Sequence, residues 1–301
     1  MPIAETDLKV GQLVEHRTRG LGKVVAAERG YVYVYFLEQE EADKATAFQL
    51  SFAVANFDRP TLQTHEELDS LPRFVKLDGG FRMEKRGRTF PEALAAFRKL
   101  FPTGFEAPDY LSGERDYKVV ASEALVAAFG NGRGLALLEE GRVEAVVTQV
   151  LSLDTTNLMH PRWEKPRLAE ALRDLEVARA YFQAVFALTD AQTVTPALFN
   201  ALALSVEALK SEHGPIARWP ATTVLPALLR PDRFLFLRPT QVKEAASRVG
   251  MALDYKAAPN WKTYASALGV AANLMERLRP LGARDLLDVQ TFIFVTSIGV
   301  G

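Results

Sequence analysis

The chain contains no cysteine. That excludes disulfides, a thiol nucleophile and any cysteine-ligated zinc or iron–sulfur site. No apolar run approaches the roughly eighteen residues needed to span a bilayer. The longest candidate, residues 291–301, is far too short. Residues 1–11 show no basic segment followed by an apolar stretch, so no signal peptide is expected. The expectation is a cytoplasmic protein with no membrane partner. Charge of one sign is scarce too: the formal net charge is −1 and the pI about 6.5. Bulk charge therefore points to no polyanion, and any nucleic-acid surface has to arise from local clustering. There is no Walker A Gly-Lys-Ser/Thr, which argues against a P-loop nucleotide hydrolase. His16, His65, His160 and His213 stand singly, without an H-x-x-x-H or H-E-x-x-H pair. No zinc site is expected from them, and no motif requires a cofactor.

What is present divides the 301 residues into three stretches. Residues 1–60 read as β-structure. Short alternating runs at 12–16 (QLVEH), 23–27 (KVVAA), 31–36 (YVYVYF) and 46–50 are separated by tight turns. Val14, Val24, Val32 and Val34 share one face by strand alternation, which leaves Tyr31, Tyr33 and Tyr35 on the other. Those tyrosines are either a stacking platform for bases or a surface packed against the rest of the chain. Residues 61–115 are mixed. A hairpin pairs 74–77 with 80–83 across Asp78-Gly79, and a helix follows with Thr89 as N-cap and Pro91 in its first turn. From residue 116 to 301 helical periodicity dominates, with helices expected at 117–129, 142–151, 165–188, 196–211, 240–249 and 261–278. Thr240 and Asn260 are expected N-caps. The fold class is α+β: a small β-barrel followed by a larger, mostly α-helical domain.

The pattern Val10-Gly11, Val14, His16, Gly20, Gly22-Lys23-Val24-Val25, Val32, Val34 and Phe36 resembles a Tudor/SH3-like barrel. It is similar to the barrels of UvrD-type helicases and of CarD-type regulators. The resemblance covers about the first fifth of the chain. It implies a docking module for RNA polymerase, another protein or nucleic acid rather than a catalytic domain. The helical part, from the 107–117 block (APDYLSGERDY) through Trp219-Pro220 and 229–239 to Asp285, Asp288 and Gln290, resembles an uncharacterised bacterial family, which implies no chemistry. A looser resemblance is to helix-hairpin-helix DNA-processing modules, carried by Pro231-Asp232-Arg233-Phe234. Arg238 stands where that pattern has its functional Asp. A guanidinium cannot stabilise an oxocarbenium-like transition state as a carboxylate does.

Local chemistry is concentrated in a few places. The run 82–88 (RMEKRGR) supplies Arg82, Lys85, Arg86 and Arg88, and Arg17, Arg19 and Lys23 surround the first barrel turn. These seven cations are the candidate nucleic-acid contacts, able to neutralise phosphates. Asp285 and Asp288 share a helix face. They are either an acid/base or metal pair, or carboxylates complementing a helix N-terminus. With Arg238 they are the candidate catalytic residues. Pro108-Asp109 and Asp116-Tyr117-Lys118 echo a nuclease PD…(D/E)xK motif, but Lys118 opens an apolar-periodic helix. Gly130–Gly134 follows a helix and reads as a terminating turn rather than a phosphate cradle. Trp163, Trp219 and Trp261 read as core anchors. The expected function is a nucleic-acid-associated binding protein, with DNA as partner, acting in DNA repair, transcription or phage defence. RNA polymerase or a repair or defence protein is a further expected partner. A glycosylase- or nuclease-like enzyme and a protein–protein adaptor are the alternatives.

Overall fold

The structure, a computed structural model, describes residues 3–39, 41, 43–77, 79–83 and 87–297. The chain forms two compact units, Met1–Arg86 and Gly87–Gly301. The stretch 61–115 is thus shared out. Its hairpin belongs to the first unit and its capped helix to the second.

The first unit is a curled antiparallel sheet, a half-barrel of five strands: β1 (Leu13–His16), β2 (Gly20–Glu28), β3 (Tyr31–Phe36), β4 (Thr46–Gln49) and β5 (Phe57–Asp58). The spatial order is β4-β3-β2-β1-β5. Alternation puts Val14, Val24, Val32 and Val34 inside, all fully buried with Phe36 and Phe57. A bulge between Val24 and Ala26 breaks the β2–β3 register, the device by which a sheet gains curl. Gly22 has to be glycine: a Cβ there would sit 2.8 Å from the Phe36 ring and from the Tyr35 carbonyl. Helix α1 (Leu50–Asn56) begins where a strand to residue 50 was expected. The short α2 (Glu66–Asp69) and the hairpin β6 (Phe74–Leu77)–β7 (Gly80–Met83) complete the unit.

The second unit is helical. Helix α3 (Phe90–Leu100) starts with a full capping box: Thr89 Oγ1 accepts from the Glu92 amide, and Glu92 accepts from the Thr89 amide at 2.7 Å. Then come α4 (Pro108–Tyr110), a π-helical turn over Leu111–Arg115, α5 (Asp116–Phe129), α6 (Arg133–Glu139), α7 (Val143–Leu153), α8 (Glu164–Ala171) and α9 (Leu175–Asp190). The helix expected over 165–188 is therefore two, divided at Asp174, whose carboxylate caps α9 through the amides of Glu176 and Val177. The last are α10 (Pro196–Ala208), α11 (Arg218–Leu229), α12 (Pro239–Arg248), α13 (Trp261–Leu278) and α14 (Leu286–Val295). Asn260 caps α13 as expected. Helix α12 starts one residue early, on Pro239, with Arg238 rather than Thr240 at the cap position. Helix α11 is the heart of this unit, with every residue from Trp219 to Leu229 buried. Phe199, Tyr264, Tyr181 and Phe186 belong to the same core.

Candidate functional site

The first turn of the half-barrel presents Arg17, Thr18 and Arg19 to solvent. The turn is held from below. The Thr18 amide donates to His16 Nδ1 at 3.3 Å, and Arg19 Nη1 donates to Thr46 Oγ1 at 3.3 Å. The Arg19 guanidinium lies 5.9 Å from the ring centroids of Phe36 and Phe48, within cation–π range. Phe48 stacks on Phe52 at 6.0 Å with an interplanar angle of 12°. Phe52, on α1, is 48% exposed. His16 packs 5.7 Å from Phe48. Burial, and then the charge of Arg19, push its pKa below the ordinary histidine value. The imidazole is therefore neutral at pH 7, and the positive charge of this corner comes from Arg17 and Arg19. Neither has a carboxylate partner among the described residues. Beside them opens a cavity of about 590 Å³ lined by Arg19, Tyr33, Glu38, Lys44 and Thr46.

The other candidate cations are differently placed. Lys23 donates to the Leu68 carbonyl and to Asp69 at 2.9 Å. Arg82 binds both Glu41 and Asp43 at 2.7 Å. Arg88 donates to the Thr296 carbonyl at 2.9 Å. Lys85 and Arg86 lie outside the described residues. The cluster expected around 82–88 is thus no free row of charges where it is described. The tyrosine face is also covered: Tyr33 meets Phe81 at 4.7 Å and Tyr35 meets Phe74 at 5.6 Å. The β6–β7 hairpin supplies this cover, and Tyr31 alone of the three is exposed. The aromatic surface beside the cations is instead Phe48–Phe52, which sequence reasoning missed because nothing in AFQLSF signals exposure of Phe52.

Asp285 and Asp288 form a closed structural network rather than an open acid/base pair. Asp285 is the N-cap of α14, accepting from the amides of Leu287 and Asp288. Its carboxylate also binds Arg115 Nη2 at 2.7 Å. Asp288 is fully buried and accepts from Arg115 Nη1 at 2.6 Å, from the Tyr110 hydroxyl at 2.5 Å and from the Arg284 amide at 2.7 Å. Burial works against the Arg115 charge, yet Asp285 and Asp288 hold its pKa above the ordinary arginine value. Burial and then Asp288 raise that of Tyr110. All four carboxylate oxygens accept a hydrogen bond from within the protein, and both carboxylates are held by Arg115.

Arg238 forms a two-pronged pair with Glu164, Nη1 at 3.1 Å and Nη2 at 2.6 Å, and donates to the Leu158 carbonyl. It fastens α12 to the start of α8. The nuclease-like residues do not converge: Asp109 and Asp116 are exposed, whereas Lys118 is buried against Glu114 and Thr291. At Gly130–Gly134 the expected terminating turn passes directly into α6, and the Gly132 amide donates to the Asp190 carboxylate at 3.2 Å. Trp219 is a core anchor, but Trp163 is 54% exposed, contrary to expectation. Its ring stacks beside His160, with the Arg162 guanidinium 5.9 Å from its centroid. Among the described residues no group of three or more His, Asp or Glu could hold a metal ion. No helix there is long and apolar enough to cross a membrane. Comparison with protein-family models, with curated proteins and with solved structures returned no match.

Proposed function

We propose that this chain is a nucleic-acid-binding protein that takes single-stranded DNA on the corner formed by the first turn of its half-barrel. One observation carries the reading: an exposed aromatic, Phe52 stacked on Phe48, beside two solvent-facing arginines, Arg17 and Arg19, that have no carboxylate partner among the described residues. Single strands are bound by that combination, with aromatics stacking on bases and cations following phosphates. Two cations make the electrostatic share small. With two phosphates neutralised, log K should fall against log salt with a slope of about −1.4.

Fluorescence anisotropy on a labelled single-stranded oligonucleotide and its duplex, across a salt series, tests this. Phe52→Ala should weaken single-strand binding by a factor of about 5 to 150, the loss of one base stack worth ~1–3 kcal/mol. Arg17→Ala with Arg19→Ala should flatten the salt slope. Absence of single-strand binding at low salt would overturn the proposal.

A second reading, a protein–protein adaptor, is favoured by the ion pairs that occupy Lys23 and Arg82. Exposed Phe and Arg together also suit the centre of a protein interface. It predicts no nucleic-acid binding at any salt. The enzyme alternative has less support, because Asp285 and Asp288 are occupied by Arg115.

A further inference from the structure

The cavity beside Arg19 holds a group that a phosphate-binding corner does not need. Its volume, about 590 Å³, falls within the range of small-molecule sites. Most polar side chains around it are already engaged within the fold. Gln39 Nε2 donates to the Glu41 and Lys44 carbonyls, and its Oε1 accepts from the Phe36 amide. The Lys44 ammonium binds the Glu41 carboxylate at 2.8 Å, and Glu41 also receives Arg82. The Thr18 hydroxyl is bonded to His16, and that of Thr46 accepts from Arg19. Three side chains of the lining keep hydrogen-bonding capacity open to a ligand. Arg19 is exposed and has no carboxylate partner among the described residues. Tyr33 is half-buried with its ring on Phe81, and its hydroxyl makes no hydrogen bond among those residues. Glu38 is exposed, and its carboxylate has neither an ion pair nor a hydrogen bond there.

The unpaired carboxylate is the informative one. It repels a phosphate, so backbone contact gives it no role. An ionised carboxylate only accepts hydrogen bonds, through two oxygens side by side. Its complement is a pair of adjacent donors. Among the DNA bases guanine presents that pair, N1–H next to the N2 amino group. Adenine and cytosine place an acceptor nitrogen beside their amino group. Thymine flanks its N–H with two carbonyls, which would face the carboxylate oxygens. A purely cationic ligand suits Glu38 as well, but the unpaired Arg19 on the same cavity works against it. A guanine nucleotide satisfies both, with ring donors for the anion and a phosphate for the cation.

We propose that this cavity is a guanine-selective site, in which Glu38 accepts from N1–H and the N2 amino group and Arg19 holds the phosphate. The Tyr33 hydroxyl is the neutral donor left for the guanine carbonyl. The inference deepens the single-strand reading and rests on it for the source of the base; a free guanine nucleotide offers the same chemistry.

The test uses the full chain and two sets of probes. The first is labelled oligothymidylate, the same strand with one central guanine, and the same strand with hypoxanthine there, which lacks the N2 amino group. A single guanine keeps the strand from self-association. The second is guanosine, inosine and adenosine monophosphate, followed by calorimetry to about 10 mM. The guanine strand should bind about 5- to 150-fold tighter than oligothymidylate, the discrimination of a good bidentate base contact, with the hypoxanthine strand between them. Glu38→Gln, a change at an exposed side chain, should collapse that ratio to within about twofold, because its amide turns a donor toward the base where an acceptor stood. A guanine preference in the strands that Glu38→Gln abolishes supports a base within a strand. A preference shown by the monophosphates alone, and abolished in the same way, supports a free nucleotide. Equal affinities within both sets, or a preference that survives Glu38→Gln, would overturn the proposal. Binding of oligothymidylate itself judges the single-strand reading separately, so the two can fail independently.

Discussion

Replacing Asp288 by Asn tests whether the network at the start of α14 is structural. The substitution keeps size and shape and removes one charge. Asp288 accepts three hydrogen bonds, from the Tyr110 hydroxyl, Arg115 Nη1 and the Arg284 amide, with no exposure to water. An Asn can reproduce the acceptor facing Tyr110 and Arg115, but its NH2 group then confronts the Arg284 amide, donor against donor. Arg115 keeps only Asp285 as a charged partner. Bonds to charged groups contribute ~1.5–3 kcal/mol each, and breaking a buried ion pair from one side costs about 3–5 kcal/mol. The expected loss is about 4 kcal/mol. For a unit of about 200 residues that lowers Tm by roughly 8–16 °C. Asp285→Asn is the comparison: Asn is as good an N-cap, and the Asp285 side chain is 19% exposed, so water can take up part of what Arg115 loses and the cost should be smaller, ~1.5–3 kcal/mol. All three tryptophans lie in the helical unit and Trp219 is buried in its core, so tryptophan fluorescence during urea or thermal unfolding reports the right transition. Equal costs for the two variants would refute this account, and so would an Asp288→Asn protein as stable as the parent.

Further expectations concern glycine, histidine and the unpaired amide. Gly104 has φ +72°, and a Cβ there would lie 2.6 Å from the Leu281 carbonyl; Gly104→Ala should cost at least ~1–2 kcal/mol, measured as a lower urea midpoint, and a neutral effect would contradict the geometry. The folded-state pKa of His16 lies below the ordinary 6.5. The unfolded chain therefore takes the proton first as pH falls. The contribution of His16 to half-barrel stability is complete above about pH 6.5, declines from there toward the folded pKa and levels off below it; amide exchange in β1–β3 should show that step ahead of the carboxylate titrations, and His16→Gln should abolish it. Because the Gln290 amide is unpaired, Gln290→Leu should leave Tm unchanged or raise it; a fall of several degrees would show that the amide has a partner in solution.

How much of this was legible beforehand follows from the range of each interaction. The half-barrel was read almost strand by strand, because Val14, Val24, Val32 and Val34 alternate at the period of a pleat. The N-caps at Thr89 and Asn260 were legible from local sequence too, although the Glu92 half of the Thr89 capping box was not read. Helix α11 was not: with every residue from Trp219 to Leu229 buried it has no polar face and hence no period. In the fold Pro226 is tolerated inside the helix, while the Thr222 and Thr223 hydroxyls donate back to the Arg218 and Trp219 carbonyls. The break at Asp174 was hidden because Arg173 and Asp174 sit comfortably in a helical pattern. Charges were misjudged for a different reason. A basic run shows where cations are, but the partners that occupy them, Glu41 and Asp43 for Arg82 and Asp69 for Lys23, lie some forty residues away, and the partner of Arg115 lies at the far end of the helical unit. What a surface can offer a ligand is the charge left after folding has paired the rest. Arg17 and Arg19 belong to that remainder together with other exposed cations such as Arg73, Arg173 and Arg179, and it is the stacked Phe48–Phe52 pair beside the first two that turns charge into a candidate site.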